Sequence, residues 1–218
     1  MKKAVILLSG GIDSTVVLAK ALNENIECLA LSFDYGQRHK IELEAAKKIA
    51  LHYGIEHKIL PISQDTFYMP GASLISGDSV QKNRSFSEMQ SGKIPSTYVP
   101  ARNTLFIAYA LVLAETFEAN EIHLGPNKLD QKPYPDCRPE FIHSFQSVAN
   151  VATKRAVNGM APLLVAPLLD MDKREIIALG IALNAPLEMT FSCYDPQGFK
   201  PCEECDACLL RADGFRTL

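Results

Sequence analysis

The chain lacks the elements that most often announce a nucleotide enzyme. No G-x-x-x-x-G-K-[ST] string occurs, so the lysine that such a loop sends to the β and γ phosphates is missing. There is no basic excess either. With 22 Lys and Arg against 25 Asp and Glu, the formal charge is −3, and the sequence offers no overall cationic footprint for nucleic acid. A small-molecule substrate is expected, with no nucleic acid and no membrane as partner. The N-terminal apolar stretch is too short for a transmembrane helix and has no small-residue cleavage region, so it reads as a first strand and the expected location is cytoplasmic. His39, His52, His57, His123 and His143 show no metal-ligand spacing, and no repeat or low-complexity tract is visible. What is present is ordinary for a soluble globular protein: 218 residues, 47% hydrophobic and 22% charged, enough for one principal domain.

The most informative run is Leu8-Ser9-Gly10-Gly11-Ile12-Asp13-Ser14-Thr15. It follows a buried-strand pattern over 4–8 and opens an apolar helical segment through Val16, Val17 and residues 19–22. Adjacent glycines let backbone approach an anion, first-turn amides have no intrahelical acceptor, and the helix dipole favours negative charge. Ser9, Ser14 and Thr15 add hydroxyl donors. The alternative is an ordinary strand-to-helix turn with Asp13 or Ser14 as its N-cap. The full string resembles the S-G-G-x-D-S-[ST] signature of the PP-loop ATP pyrophosphatases, which implies a site that grips the leaving pyrophosphate while the adenylyl group is transferred. Asp13 beside polyphosphate is unfavourable without a bridging divalent cation, so Mg²⁺ is expected with ATP.

Strand patterns over 27–33, 57–62, 121–124 and 163–166 alternate with helical patterns over 40–51, 105–117 and 141–152, the second of these expected to be strongly buried. This alternation predicts an α/β fold, a doubly wound parallel sheet whose ligands bind beyond the carboxyl ends of the strands. Residues 63–102, rich in Ser, Gly and Pro, break the alternation and are expected to form a lid inserted in a domain spanning 1–186. Asp172 and Glu175 bracket a capping-box start, and Gly180 supplies a stop, so that helix is expected to be structural.

Residues 187–218 form a separate tail in which Cys193, Cys202, Cys205 and Cys208 make the pattern C-x8-C-x2-C-x2-C. Four thiolates suit tetrahedral Zn²⁺, and a closed shell of four leaves no position for water, so the metal is expected to stabilise the tail. An iron–sulfur cluster or a sulfur-carrying role is the alternative. Cys28 reads as an inert buried thiol in a strand. Cys137 is either a nucleophile or a packed, substrate-adjacent thiol.

Four further segments resemble one family within that superfamily: Phe33-Asp34-Tyr35-Gly36-Gln37-Arg38-His39, Val99-Pro100-Ala101-Arg102-Asn103-Thr104, residues 134–141, and the cysteine tail preceded by Ser192. Together with the glycine loop they are similar to the 7-cyano-7-deazaguanine synthases of queuosine biosynthesis, and the resemblance covers nearly the whole chain. It departs in two places: Ala101 stands where glycine is usual, and residues 127–133 differ from the usual pattern of small and aromatic residues. The resemblance implies ATP-dependent conversion of 7-carboxy-7-deazaguanine and ammonia to the 7-cyano base through an adenylated carboxylate and an amide, in a homodimer. It assigns Ser9, Gly10, Gly11, Ser14 and Thr15 to pyrophosphate, with Leu8, Ile12, Val16, Val17 and Leu18 completing the ATP contact and Asp13 organising Mg²⁺ or the loop. Arg38, Arg102 and Lys128 would neutralise phosphate or carboxylate charge, each having a solvated surface role as its alternative. Asp34, Tyr35, Gln37, Asp136 and Arg138 would read the polar edge of the deazapurine, although Asp136 could instead cap the following helix. The rivals are a PP-loop tRNA thiolase or another adenylating amide ligase, and, from a different class, a zinc-ribbon binding module.

Overall fold

The computed structural model describes residues 1–67 and 69–216. Five parallel strands, β1 (Lys3–Leu7), β2 (Glu27–Asp34), β3 (Glu56–Pro61), β4 (Glu121–His123) and β5 (Leu163–Val165), form one sheet in the order β3-β2-β1-β4-β5. The sheet is doubly wound, as expected. The chain leaves β1 toward β2 and β3, then returns to place β4 on the opposite side of β1. The carboxyl end of β1 is therefore the switch point, where a crevice forms between diverging connections.

Successive strand side chains point to opposite faces, so the near-continuous apolar strands feed two cores. On one face Ala4, Ile6, Cys28 and Ala30 pack against α1 (Ile12–Asn23), α2 (Ile41–Tyr53) and, through Ile176 and Ile177, the later helix α7 (Lys173–Ala182). On the other, Val5, Leu29, Leu31 and Phe33 meet the long helix α4 (Arg102–Phe117) and α5 (Pro139–Ala149). Cys28 is 7% exposed and burial pushes its pKa up to about 12, in keeping with an inert thiol.

Several local expectations need correction. Helix α4 starts at Arg102 and is not strongly buried: Ile107, Ala110, Leu111 and Ala114 face the core, while Tyr109 and Val112 are 41% and 62% exposed. An apolar helix with a low core-facing fraction reads as buried from composition alone, because periodicity is lost when both faces are apolar. Ala101 precedes α4 at φ 50°, ψ 26°, the left-handed region in which glycine is free and an L-residue carries about 1–2 kcal/mol of strain. Residues 63–101 include the short helix α3 (Phe86–Met89), and they bury Phe67, Ala72, Leu74, Ile75 and Val99 in the second core.

The capping box on α7 is present, with Asp172 accepting from the amides of Arg174 and Glu175 and Glu175 accepting from that of Asp172. A four-residue helix, α6 (Lys154–Val157), precedes β5, and α8 (Asp206–Phe215) closes the chain. Helix α8 lies directly on α7: a Cβ added to Gly214 would stand 2.5 Å from Ile177, and Arg174 pairs with Asp213 at 3.1 Å. The tail docks at two more places. Phe191 donates its amide to the Gly10 carbonyl, and Lys82 forms an isolated antiparallel bridge with Cys205.

Candidate active site

One cavity of about 300 Å³ opens at the switch point, within the range of small-molecule sites. Its floor is the loop after β1. Leu8, Ser9, Gly11, Ile12, Asp13 and Ser14 line it, and α1 begins there with Gly11 as N-cap in extended conformation. Neither Asp13 nor Ser14 is the cap. Instead the Ser14 hydroxyl accepts from the Ser9 amide and lies 3.0 Å from the Ser9 hydroxyl, which clamps the loop from inside. The amides of the first turn keep no intrahelical acceptor and meet the positive end of the helix dipole, so the cavity floor suits an anion.

The two glycines have different reasons to be there. Gly10 has φ +86°, and a Cβ on it would sit 2.2 Å from the Glu42 carbonyl oxygen and 2.8 Å from the Ala46 nitrogen, so it lets the loop press against α2. Gly11 has a negative φ, and its nearest Cβ contact would be the Ser9 hydroxyl at 3.5 Å. Gly10→Ala is therefore expected to destabilise the fold by several kcal/mol, through left-handed strain plus a backbone clash. Gly11→Ala should fold normally and weaken nucleotide binding alone. Denaturation midpoints and ATP titrations of both variants check the pair. Val16, Val17 and Leu18 require a correction: each is 0% exposed in the core beneath the loop, and none reaches the cavity. Thr15 is also 0% exposed and returns its hydroxyl to the Gly11 carbonyl at 2.8 Å. The helical run after a phosphate loop buries every side chain that points back to the sheet.

Asp13 points into the cavity and is held by Lys173, whose Nζ lies 2.6 and 2.7 Å from its two carboxylate oxygens, and by the side-chain Nδ2 of Asn127, which donates at 3.1 Å. The helix expected to be merely structural thus delivers the cation. Its capping box fixes the first turn of α7, and Lys173 is the first residue of that turn. Sequence reasoning missed Lys173 because it lies 160 residues from Asp13. Asp130 completes this edge. Its carboxylate accepts from the Asn127 amide, and burial together with the charge of Asp13 raises its pKa to about 6.

The far wall is aromatic and deeper. Arg102, at the start of α4, donates to the Tyr35 hydroxyl at 2.9 Å and lies 5.6 and 5.8 Å from the ring centres of Tyr35 and Phe106. Burial pushes the Tyr35 pKa up to about 12, so it stays a neutral phenol. Asp136 lines the cavity but does not cap the helix that follows it. Its carboxylate accepts from the Asn103 amide at 2.9 Å and so caps α4. Asn103 in turn donates to the Asp136 carbonyl and to the Cys137 sulfur. Cys137 lines the cavity, yet burial and the carboxylates of Asp130 and Asp136 raise its pKa well above the ordinary thiol value. An activated thiolate needs the reverse surroundings, so the packed-thiol alternative is the better fit. His39 and Glu42 pair at 3.1 Å beside Tyr194, all three lining the same wall.

Five other candidates stand away from the cavity. Arg38 bonds Asp195 at 3.2 Å and the Gly77 carbonyl at 3.0 Å, tying the tail to residues 76–78. Asp34 accepts from the Gly36 amide and pairs with Lys40, and burial, outweighed by Lys40 and that amide, leaves its pKa below the usual value. Gln37 is 1% exposed and is consumed by Tyr35, Phe33 and Glu42. Arg138 donates to the carbonyls of Gln131 and Lys132, and Lys128 is exposed. A polar residue inside a motif is as easily a turn builder as a ligand, and only the surroundings separate the two.

Cys193, Cys202, Cys205 and Cys208 bring their sulfurs within 4.8 Å of one another, close to the ~3.8 Å edge of a tetrahedron with Zn–S bonds near ~2.3 Å. Backbone amides of Tyr194, Asp195, Cys202 and Cys205 point at three of these sulfurs at 3.1–3.4 Å, which stabilises thiolate charge. The cluster suits Zn²⁺. The tail that carries it also walls the cavity, through Ser192, Tyr194, Ala207, Leu210 and Arg211, while the four cysteines themselves stay behind that wall.

A nucleotide floor at the switch point of a 3-2-1-4-5 parallel sheet, with a four-cysteine tail for one wall, defines an adenine-nucleotide enzyme of PP-loop type. The family described as "Queuosine biosynthesis protein QueC" matches residues 3–218, and the chain belongs to it. Among curated relatives, the 7-cyano-7-deazaguanine synthase of Leptospira biflexa is 48% identical over 98% of this chain and 90% of its own length. That of Syntrophus aciditrophicus is 48% identical over 99% and 93%. Solved structures share the fold at low identity. The NMN synthetase of Francisella tularensis aligns with a TM-score of 0.51 at 18% identity, over 93% of this chain and 70% of its own. The U34-tRNA thiolase NcsA of Methanococcus maripaludis aligns with 0.50 at 16%, over 98% and 64%.

Proposed function

We propose that the protein converts 7-carboxy-7-deazaguanine and ammonia to 7-cyano-7-deazaguanine, consuming ATP through an adenylated carboxylate and then an activated amide. The observation that carries this reading is the match of the family over residues 3–218, with both the glycine loop and the cysteine tail in place. The chemistry explains the need for adenylation. A carboxylate repels nucleophiles and has no good leaving group, and transfer of its oxygen to the α-phosphorus removes both obstacles. Ammonia then displaces AMP to give the amide. A second activation at the amide oxygen, with loss of both N–H protons, gives the nitrile, and one site serves both steps because each aligns a carbonyl-type oxygen with the same phosphorus.

In this reading Ser9, Gly11 and the first-turn amides hold pyrophosphate, Lys173 supplies the cation that the absent Walker lysine would have supplied, and Asp13 holds the Mg²⁺ that accompanies ATP. Oxygen ligands of a carboxylate and phosphates are the set Mg²⁺ prefers. Arg102 meets the substrate carboxylate or the pentavalent phosphorus, and Tyr35 and Asp136 flank the base. The expected lid, residues 63–102 less Arg102, which opens α4, is anchored by Phe67 and Leu74.

The homodimer expected from the resemblance would use an exposed apolar face. Val112, Val148, Val151, Val157, Met160 and Leu163 are 48–78% exposed, and the Glu115 carboxylate accepts from the Arg155 amide, joining α4 to α6 across that region. Exposed apolar groups of this kind mark association surfaces. A monomer mass by light scattering at micromolar concentration would remove the dimer from the proposal.

Incubation with ATP, Mg²⁺, ammonia and the 7-carboxy base should release AMP and the nitrile together. Release of ADP without AMP overturns adenylation, and turnover on tRNA in place of the free base favours the thiolase reading.

A further inference from the structure

A second, smaller cavity of about 50 Å³ lies behind the wall of the first. Its outer rim is Phe86, Met89 and Gln90 of residues 86–90, where Phe86 is 45% exposed, and its inner wall is Leu129, Asp130, Tyr134, Tyr194, Ala207 and Leu210. Those six inner residues also line the large cavity, so the partition between the two is one side chain thick. We propose that this side pocket is the inlet for ammonia, and that the carboxylate of Asp130 is where ammonium is held and gives up its proton before the neutral molecule passes to the acyl adenylate. This rests on the function proposed above.

Size selects the occupant. On the same measure about 10–15 Å³ is enough for one water and the large cavity has about 300 Å³, so a side pocket of about 50 Å³ takes a few molecules the size of ammonia and is too small for a nucleotide. In the reaction proposed above ATP and the acid both occupy the large cavity, so a third reactant with its own inlet could reach them without passing either. Chemistry points the same way. At neutral pH ammonia is almost wholly ammonium, which cannot attack carbon, so a carboxylate on the partition both attracts the cation and accepts the proton. Nitrogen then uses the freed lone pair to form the C–N bond, the acyl C–O bond to AMP breaks with its electron pair leaving on the phosphate oxygen, and the second nitrogen-bound proton goes to solvent.

Asp130 is placed for this. It belongs to both cavities and is intermediate in exposure, and one oxygen accepts from the Asn127 amide at 3.0 Å. The charges around it are Asp13 from α1, Lys173 from α7 and Arg102 from α4, with Tyr134 lying on its own loop. Arg84, a cation lining the side pocket, is neutralised by Asp206 at 2.6 Å and so does not bar an incoming cation.

Met89 lines only the side pocket and is outside the nucleotide and base walls. Met89→Trp should therefore raise the KM for ammonia at least tenfold while acid-dependent ATP–pyrophosphate exchange, which needs no ammonia, keeps its wild-type rate. Met89→Ala should raise kcat/KM for methylamine relative to ammonia, read as release of the N-methyl amide. In Asp130→Asn, amide formation normalised to that variant's own exchange rate should track free NH3, rising close to tenfold per pH unit between pH 7 and 8, more steeply than wild type. An unchanged ammonia KM in Met89→Trp, or no gain with methylamine in Met89→Ala, overturns the inlet and leaves adenylation standing. Absence of exchange in the wild-type protein overturns the parent reading and the inlet with it.

Discussion

Lys173→Met is expected to lower kcat/KM for ATP by about 100- to 1000-fold, the scale on which a single group aimed at developing phosphate charge contributes. The side chain of Lys173 is 14% exposed and that of Asp13 is 23% exposed, so their ion pair is only weakly screened. Removing the cation also leaves Asp13 facing the triphosphate with Asn127 as its remaining polar partner, and breaking a largely buried pair costs about 3–5 kcal/mol. The variant should then melt several degrees lower as well as lose turnover. Lys173→Arg distinguishes the two effects. It restores the charge and recovers stability, but its planar fork cannot occupy the point position of the ammonium and should recover activity poorly. Steady-state kinetics with ATP varied, together with melting curves of the three proteins, measure this. Wild-type kcat/KM in Lys173→Met would remove the residue from the phosphate site.

Stripping the tail of metal is the second change with a large expected effect. Four thiolates held at tetrahedral spacing repel one another once the cation between them is gone, and structural zinc sites bind with about 10–16 kcal/mol of apparent free energy at neutral pH. The sheet has its own two cores, one of which includes Leu187, so loss of metal should loosen residues 190–211 around the cysteines and leave the sheet folded. That local release reaches the chemistry. Ser192, Tyr194, Leu210 and Arg211 would leave the cavity wall, and the Phe191 amide would no longer hold the Gly10 carbonyl. Cys205→Ser, or the native protein after a strong chelator, should retain nearly all its circular dichroism, lose about one zinc per chain, become cleavable in the tail and lose activity by more than 100-fold. Full activity in metal-free protein would mean that the tail does not shape the site.

The Lys173 contact also shows where reading the sequence stops. The glycine loop, the four cysteines and the capping box at Asp172 were all legible, because each is local chemistry: a few adjacent residues decide whether a turn, a ligand set or a helix start can form. The helix that carries Lys173 was legible as well, but its partner on α1, packed beside it on the same face of the sheet, was not. Arg38 and Arg102 illustrate the same limit, since both are cations within motif segments. Arg102 opens α4 into the cavity beside Tyr35, whereas Arg38 turns outward to Asp195. The resemblance assigns Val16, Val17 and Leu18 to the ATP contact, and their burial keeps those side chains out of the cavity.

Strand-and-helix alternation, the anion-binding turn and the metal-ligand spacing were settled by the order of residues alone, because backbone propensity, apolar period and coordination chemistry act over a few neighbours. Which polar side chains face the cavity, why Gly10 rather than Gly11 is sterically obligatory, and that the cysteine tail walls the site were decided only by packing. The physical reason is that a side chain's role is set by what lies within a few ångströms of it, and in a sheet ordered 3-2-1-4-5 those neighbours come from parts of the chain more than a hundred residues apart.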